Sequence, residues 1–286
     1  MRFGAHVSAA GGLWNAAEIG KSLGCEVIQI FSRPPQGGKP KEITEEDALK
    51  FKTAMKEAGI QDVYIHSPYF INLASSNPRI EHSSISVLRE ELERGSKLGC
   101  KAMMFHPGSA KDVGAIKGRQ MVIDGLNGIL DGYTGSCQLL IEISAGAGEI
   151  MGDEFEELAL FLQGAERGKE IGICFDTQHA FASGYDLRTP ETVKETFDKF
   201  DKIVGLKNLV ASHCNDSKIE LGGKKDRHEH WGEGHIGLKG LEAIINHPKL
   251  QHLDLILETP WDKDEKTDPR IKDMKILKKF RGKQSI

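Results

Sequence analysis

Eight times along the chain, a short apolar, β-rich run gives way to a longer segment whose apolar positions recur three and four residues apart. The runs are "RFGAHV" (2–7), "EVIQIF" (26–31), "DVYIHS" (62–67), "KAMMFHP" (101–107), "QLLIEIS" (138–144), "IGICFDT" (171–177), "NLVASHC" (208–214) and "LDLILET" (253–259). Helical patterns lie near 12–23, 44–58, 81–98, 116–131, 153–168, 190–204 and 238–246, with a last one near 268–281. Thr44 with Asp47, and Asp153 followed by Glu156 and Glu157, mark helix starts. Gly24, Gly59 and Gly99 stand where helices should stop. Strand–helix alternation of this kind predicts the α/β class and a single (β/α)8 TIM barrel. One domain over residues 1–286 is expected, with no long linker.

Composition narrows the picture without naming a function. Apolar residues at 39% suffice for a large core, and 28% charged residues is close to the globular average. The formal charge of −4 argues against sequence-blind nucleic-acid binding through overall charge, though not against a local basic surface. Cys25, Cys100, Cys137, Cys174 and Cys214 are scattered, odd in number and never in a C-x-x-C pair. Buried, reduced thiols are therefore expected. The N-terminal stretch lacks a secretory pattern, and no run of 18 apolar residues occurs, so a cytoplasmic protein without membrane contact is expected.

The strand ends carry the chemistry. His66, His106, Glu142, Asp176, His213 and Glu258 close the third to eighth runs, and His6 closes the first. In a closed barrel these side chains converge on one mouth. So many carboxylates and imidazoles in one place would repel or stay unsatisfied without a cation. A metal centre is expected, rather than a satisfied polar network. Asp226 and His228 form a D-x-H pair, and His179 follows Asp176 by three residues. Imidazole with carboxylate suits zinc, then manganese and iron. Nine candidate ligands exceed what one ion can use, which points to two or three ions and phosphoryl-transfer chemistry.

The segments "GAHVSAAGG" (4–12), "HPGS" (106–109), "FDTQHAFASGYDLRT" (175–189), "HCNDSK" (213–218), "DRHEHWGEGHIG" (226–237) and "LETP" (257–260) resemble the endonuclease IV family, the second family of AP endonucleases. The likeness spans nearly the whole chain and falls in order. It implies a deoxyribonuclease IV type of enzyme that holds three Zn2+ ions per chain. It would cleave the phosphodiester 5′ to an abasic site in duplex DNA, leaving a 3′-hydroxyl and a 5′-deoxyribose phosphate for base-excision repair. Carried across by motif, one zinc would take His66, His106 and Glu142. A second would take Glu142, Asp176, His213 and Glu258, and a third His179, Asp226 and His228. Glu142 or Glu258 would orient or deprotonate the attacking water. Tyr69 matches a residue that opens the duplex in the family. Loop cations Arg33, Lys39, Lys41, Lys224, Lys225 and Arg227 are candidate phosphate contacts, with Arg33, Lys39 and Arg227 foremost. A monomer is expected.

The other histidines read differently. His6 is expected to line the site, and His230, Glu229, Glu233 and His235 to shape its loop. His82, His247 and His252 are expected to be structural or solvated. Two loops depart from the family. After the second strand stands "SRPPQGGKPKE" (32–42) where a polar, DNA-penetrating loop is usual, and "ISAGAG" (143–148) replaces a polar Asn-Thr segment. The competing reading is a metal-dependent sugar isomerase or epimerase on the same barrel, which ordinarily needs fewer ions. A non-catalytic DNA-binding barrel is a weaker one.

Overall fold

Two of the apolar runs, Val27–Ile30 and Ala102–Phe105, are buried at every position. Strands covered on both faces belong in parallel sheets wrapped by helices. The computed structural model, which describes residues 1–261 and 267–281, places them so. Strands β1 (Arg2–His6), β2 (Val27–Ile30), β3 (Asp62–His66), β4 (Ala102–Phe105), β5 (Gln138–Glu142), β6 (Gly172–Cys174) and β7 (Leu209–His213) run parallel. After a two-stranded hairpin, β8 (Asp216–Ser217) with β9 (His228–Glu229), strand β10 (Asp254–Leu257) closes the barrel between β7 and β1. The (β/α)8 barrel expected from the alternation is the fold.

Helices α1 (Asn15–Leu23), α2 (Glu45–Ala58), α3 (Pro78–Leu98), α4 (Ala115–Leu130), α5 (Phe155–Gly164), α7 (Pro190–Ile203), α8 (Gly237–Ile245) and α9 (Arg270–Arg281) cover the outside, while the short, buried α6 (Thr177–Ser183) follows β6 at the barrel mouth. Thr44 and Asp47 form the expected reciprocal cap on α2. Gly24, Gly59 and Gly99 end α1, α2 and α3 in the left-handed conformation, as expected. Two starts differ. Asn77 caps α3 through Arg79 N–H, so this helix begins at Pro78, ahead of the expected 81. Asp153 does not cap α5: its carboxylate faces Lys224 at 3.5 Å, and Glu157 instead accepts from Gly152 N–H. Helix α6 was not anticipated, because seven residues are too short for a helical period to show.

Side chains alternate along each strand. Val63, Ile65, Met103 and Phe105 face the helices, within the large outer core. Val27, Tyr64, Ala102, Met104, Leu140, Cys174, Ala211 and Ile256 face inward and fill the barrel. Gly4 takes its place in that inner layer on β1 because a Cβ there would lie 2.0 Å from the Val27 carbonyl oxygen. At the barrel's lower end Asp254 accepts from Tyr64 and pairs with Arg2 at 2.7 Å and Lys101 at 3.0 Å. No described helix is long and apolar enough to cross a membrane.

All five cysteines are buried and unpaired. Burial raises the Cys25 and Cys137 thiols to about 12 and Cys174 to about 11, so each is a neutral thiol at ordinary pH. Native protein at pH 8 is expected to resist thiol reagents, and denatured protein to react at all five. Rapid labelling of the native fold, measured by intact mass, would contradict this packing.

Candidate metal centre

The parity that fills the barrel also builds its mouth. Two residues beyond each inner-layer side chain, on the same face, stand His6 after Gly4, Gln29 after Val27 and His66 after Tyr64. His106 follows Met104, Glu142 follows Leu140 and Asp176 follows Cys174. His213 follows Ala211, and Glu258 follows Ile256. Every barrel strand therefore delivers one inward polar side chain to the upper rim. Seven of them are the strand-end residues read from the sequence, His6 included; Gln29 is the eighth.

Three sets approach closely enough to hold an ion, with ligand atoms within 4.8 Å of one another. They are His66, His106 and Glu142; then Glu142, Asp176, His213 and Glu258; then Asp176, His179 and His228. Asp226 joins the last, its Oδ1 lying 3.3 Å from His179 Nε2 and 3.4 Å from His228 Nε2. Glu142 lies at the hub, fully buried. One of its oxygens is 3.0 Å from His66 and 3.3 Å from His106, and the other is 2.8 Å from His213 and 3.3 Å from His179.

The donor set fits a cation. His179 Nε2 and His228 Nε2 are buried without a hydrogen-bond partner, and both face Asp226. Orphaned buried nitrogens of this kind are costly unless a Lewis acid takes them. The opposite ring nitrogens are anchored on carbonyls: His66 Nδ1 on Ser67 at 2.8 Å, His179 Nδ1 on Ile143 at 3.0 Å, His228 Nδ1 on Glu258 at 3.2 Å. Such anchors fix the ring orientation and aim Nε2 at the centre. Burial would push the Glu142 carboxyl up, but His106 and His213 beside it hold it well below the usual range. Asp226 is likewise held down, at about 2, where burial is outweighed by His179. Both carboxylates are thus ionised. Burial also opposes a charge on His179, yet Asp176 and Asp226 raise it well above its ordinary value, so a proton stands where a metal would compete for it.

Local structure brings in the three ligands that lie off the strand ends. Asp176 caps α6 through His179 N–H at 2.8 Å, which sets His179 one turn above it. Hairpin β8–β9 pairs Ser217 with His228 and folds Asp226 and His228 back over the mouth. Two organising residues escaped the sequence reading. Asn215 donates to Asp176 Oδ2 and accepts from Glu258 N–H, each at 2.8 Å. Gln29, fully buried, touches His6, His213 and Glu258. A glutamine in a strand and an asparagine just after one give no sequence signal of such a role.

The centre floors a cleft of about 1350 Å³ lined by Trp14, Pro34, Gln36, Lys39, Tyr69 and Trp261 among others. Tyr69 is 70% exposed at its rim, edge-on to Phe31. Lys39 and Lys41 line the cleft and are exposed; Lys224, Lys225 and Arg227 are exposed on the neighbouring hairpin. Arg33 requires correction. Its guanidinium turns inward and pairs with Glu91 at 2.5 Å and Glu90 at 2.7 Å on α3, so it is not free for a phosphate. His6 lines the site, 3.6 Å from Glu258. His230 bonds Asp273 and Glu233 pairs with Lys272, while Glu229 and His235 hold the loop's backbone. His82, His247 and His252 lie away from the centre: His82 on Pro78 O, His247 against Phe197, His252 near Leu209 O.

Residues 17–280 match the model of the xylose isomerase-like TIM barrel family. A relative named probable endonuclease 4, from Halothermothrix orenii, is 39% identical, with 98% of this chain and 99% of the relative covered. The crystal structure of endonuclease IV from Thermus thermophilus superposes with a TM-score of 0.86 at 31% identity, covering 98% of each chain. A D-tagatose 3-epimerase-like protein shares the fold, with a TM-score of 0.71 at 20% identity and 98% and 97% of the two chains covered.

Breaking a buried ion pair leaves a charge uncompensated. Arg33→Ala is expected to lower unfolding stability by about 3 kcal/mol through Glu91, with Arg94 limiting the loss. Denaturant unfolding checks this. An unchanged midpoint would mean that Arg33 is not held on α3.

Proposed function

Because the chain belongs to the xylose isomerase-like TIM barrel family and, within it, to the endonuclease IV group, we propose that it is a metal-dependent endonuclease acting 5′ to abasic sites in duplex DNA. The products are a 3′-hydroxyl and a 5′-deoxyribose phosphate, the input for base-excision repair. The observation that carries this reading is the pair of orphaned imidazole nitrogens facing Asp226, beside two ligand sets that share Glu142.

The ion assigned is zinc, three per chain, since imidazole and carboxylate donors suit it and the absence of thiolate does not exclude it. His66, His106 and Glu142 hold one ion. Glu142, Asp176, His213 and Glu258 hold the second, and His179, Asp226 and His228 the third. Zinc supplies acidified water at neutral pH and positive charge against the phosphate oxygens. The chain's own groups do the rest. Glu142 has both oxygens engaged by imidazoles, which suits a bridge and not a base. Glu258 faces the cleft, with one oxygen held by Gln29, which suits orienting water against phosphorus. Tyr69 offers a ring at the rim for a duplex whose damaged nucleotide must leave the stack. Lys39 and Arg227 contact phosphates. The chain acts as a monomer. A cleft of about 1350 Å³ is larger than a single sugar requires, which favours a polymer over an isomerase substrate.

Purified protein is expected to carry three divalent ions and to cleave an abasic duplex until they are stripped. Glu258→Gln is expected to fold normally and to cut at least about 100-fold more slowly. A variant as fast as the parent, in a gel assay at saturating substrate, would remove Glu258 from this role.

Pro34, Pro35 and Pro40 stiffen the second loop, and Gly37 and Gly38 offer no side chain that can wedge a duplex. Weaker discrimination between abasic and intact duplex is expected than in a relative with a polar loop. Lys39→Ala is expected to flatten the dependence of log K on log salt by about 0.9, one phosphate contact. Binding measured across a salt series decides it, and an unchanged slope would place this loop off the DNA.

A further inference from the structure

Of the eight inward rim residues, the ligand sets take six, leaving His6 and Gln29. We propose that Gln29 is a positioning residue that fixes which atoms of His213 and Glu258 face the metal centre. The proposal rests on the metal-centre reading above.

Three contacts define its orientation. Glu258 Oε1 lies 2.6 Å from the Gln29 amide nitrogen. An ionised carboxylate only accepts, so the amide must present its NH2 there, and its carbonyl oxygen cannot take that place. The carbonyl oxygen is then fixed against His213 Nε2 at 2.7 Å. An acceptor at Nε2 places an imidazole proton there, which makes Nδ1 the nitrogen that a cation would take. Nδ1 is the atom that faces the centre, 2.8 Å from Glu142, 3.2 Å from Glu258 and 3.7 Å from Asp176. The second amide hydrogen goes to His6 Nδ1 at 2.8 Å.

The three bonds act as one clamp. Gln29 occupies Glu258 Oε1 and leaves Oε2 on the His213 side. His213 differs from His66, His179 and His228, whose Nδ1 atoms rest on backbone carbonyls. With its Nε2 directed at a side chain, its tautomer depends on that side chain. Its amide accepts from His213 through the carbonyl oxygen and donates to Glu258 through the NH2 group at once. A carboxylate would repel Glu258, and a lysine would repel the ions. Gln29 is fully buried on β2 in register with His6 and Tyr64, so strand geometry fixes its Cα.

Gln29→Met and Gln29→Leu keep an apolar body of similar size and remove all three bonds. Metal retention against a graded chelator, the visible spectrum of the cobalt(II)-loaded protein and the thermal midpoint of stripped protein are measured on parent and variants. The expected result is one ion of the parent's set weakened about 10–100-fold, a changed cobalt band and a stripped-protein midpoint near the parent's. Equal retention with an unchanged spectrum overturns the proposal. So does a stripped midpoint that falls with the affinity, or failure of both variants to fold, since Gln29 would then be a packing residue. A parent that takes up no ions overturns the metal-centre reading itself, which separates the two failures.

Discussion

Four carboxylates, Glu142, Asp176, Asp226 and Glu258, meet at one end of a closed barrel, and the rest of the site answers to that concentration of charge. Among the described residues, no lysine or arginine pairs with any of the four; their charged-partner contacts are to histidine alone. The lower end of the same barrel shows the contrast. There Asp254 is buried as deeply as Glu142 and Asp176 but is balanced within the chain by Arg2, Lys101 and the Tyr64 hydroxyl. One end is electrostatically closed and the other is not. At the mouth imidazoles alone offset the acids, and a cation would bind those same groups, so stability and chemistry are coupled at the same atoms.

Barrel closure makes the concentration unavoidable. Inner-layer side chains from Val27 to Ile256 fill the interior with apolar volume, and the next inward position on each strand has no direction except over that layer. The strands therefore fix where the ligand Cα atoms stand, but not how the rings turn or which oxygen faces inward. Those choices fall to neighbouring groups: carbonyls for His66, His179 and His228, Asn215 for Asp176, and Gln29 for His213 and Glu258. Ligand placement is a property of the fold, whereas ligand orientation is a property of single hydrogen bonds.

That division also explains what could be read from the sequence. His66, His106, Glu142, Asp176, His213 and Glu258 stood out because period-two alternation and residue type are both local. The D-x-H pair was visible for the same reason, though not the two-residue strands that carry His228 inward. Gln29 was invisible because its meaning lies in partners 23, 184 and 229 positions away. Arg33 misled for a related reason. Between a strand and two prolines it reads as a free loop cation, and nothing nearby announces that Glu90 and Glu91 rise beneath it from α3. Helix α6 stayed hidden because one capping aspartate, not an apolar stripe, defines it.

The Arg33 pairing bears on how this chain can keep the family's type of centre beside an unusual rim. Ser32 bonds both Glu91 and Arg94, and Arg33 is locked to Glu91, so the first two residues after Phe31 belong to the scaffold. From Pro34 the loop leaves α3, and it meets that helix again where Arg94 donates to Lys41 O at 2.8 Å. The departure from a polar loop begins at Pro34. The loop still meets the neighbouring rim after β3, since Tyr69 N–H donates to Pro35 O and Gly37 approaches the Phe70 ring. Large exposed aromatic surface at this mouth accordingly comes from Tyr69 and Phe70 after β3 and from Trp261 after β10, the last stacked under Arg270 at 4.8 Å. The scaffold constrains the ions through eight strands at once. It constrains the rim only through such isolated contacts, so the rim is where substrate reading can diverge while the centre stays the same.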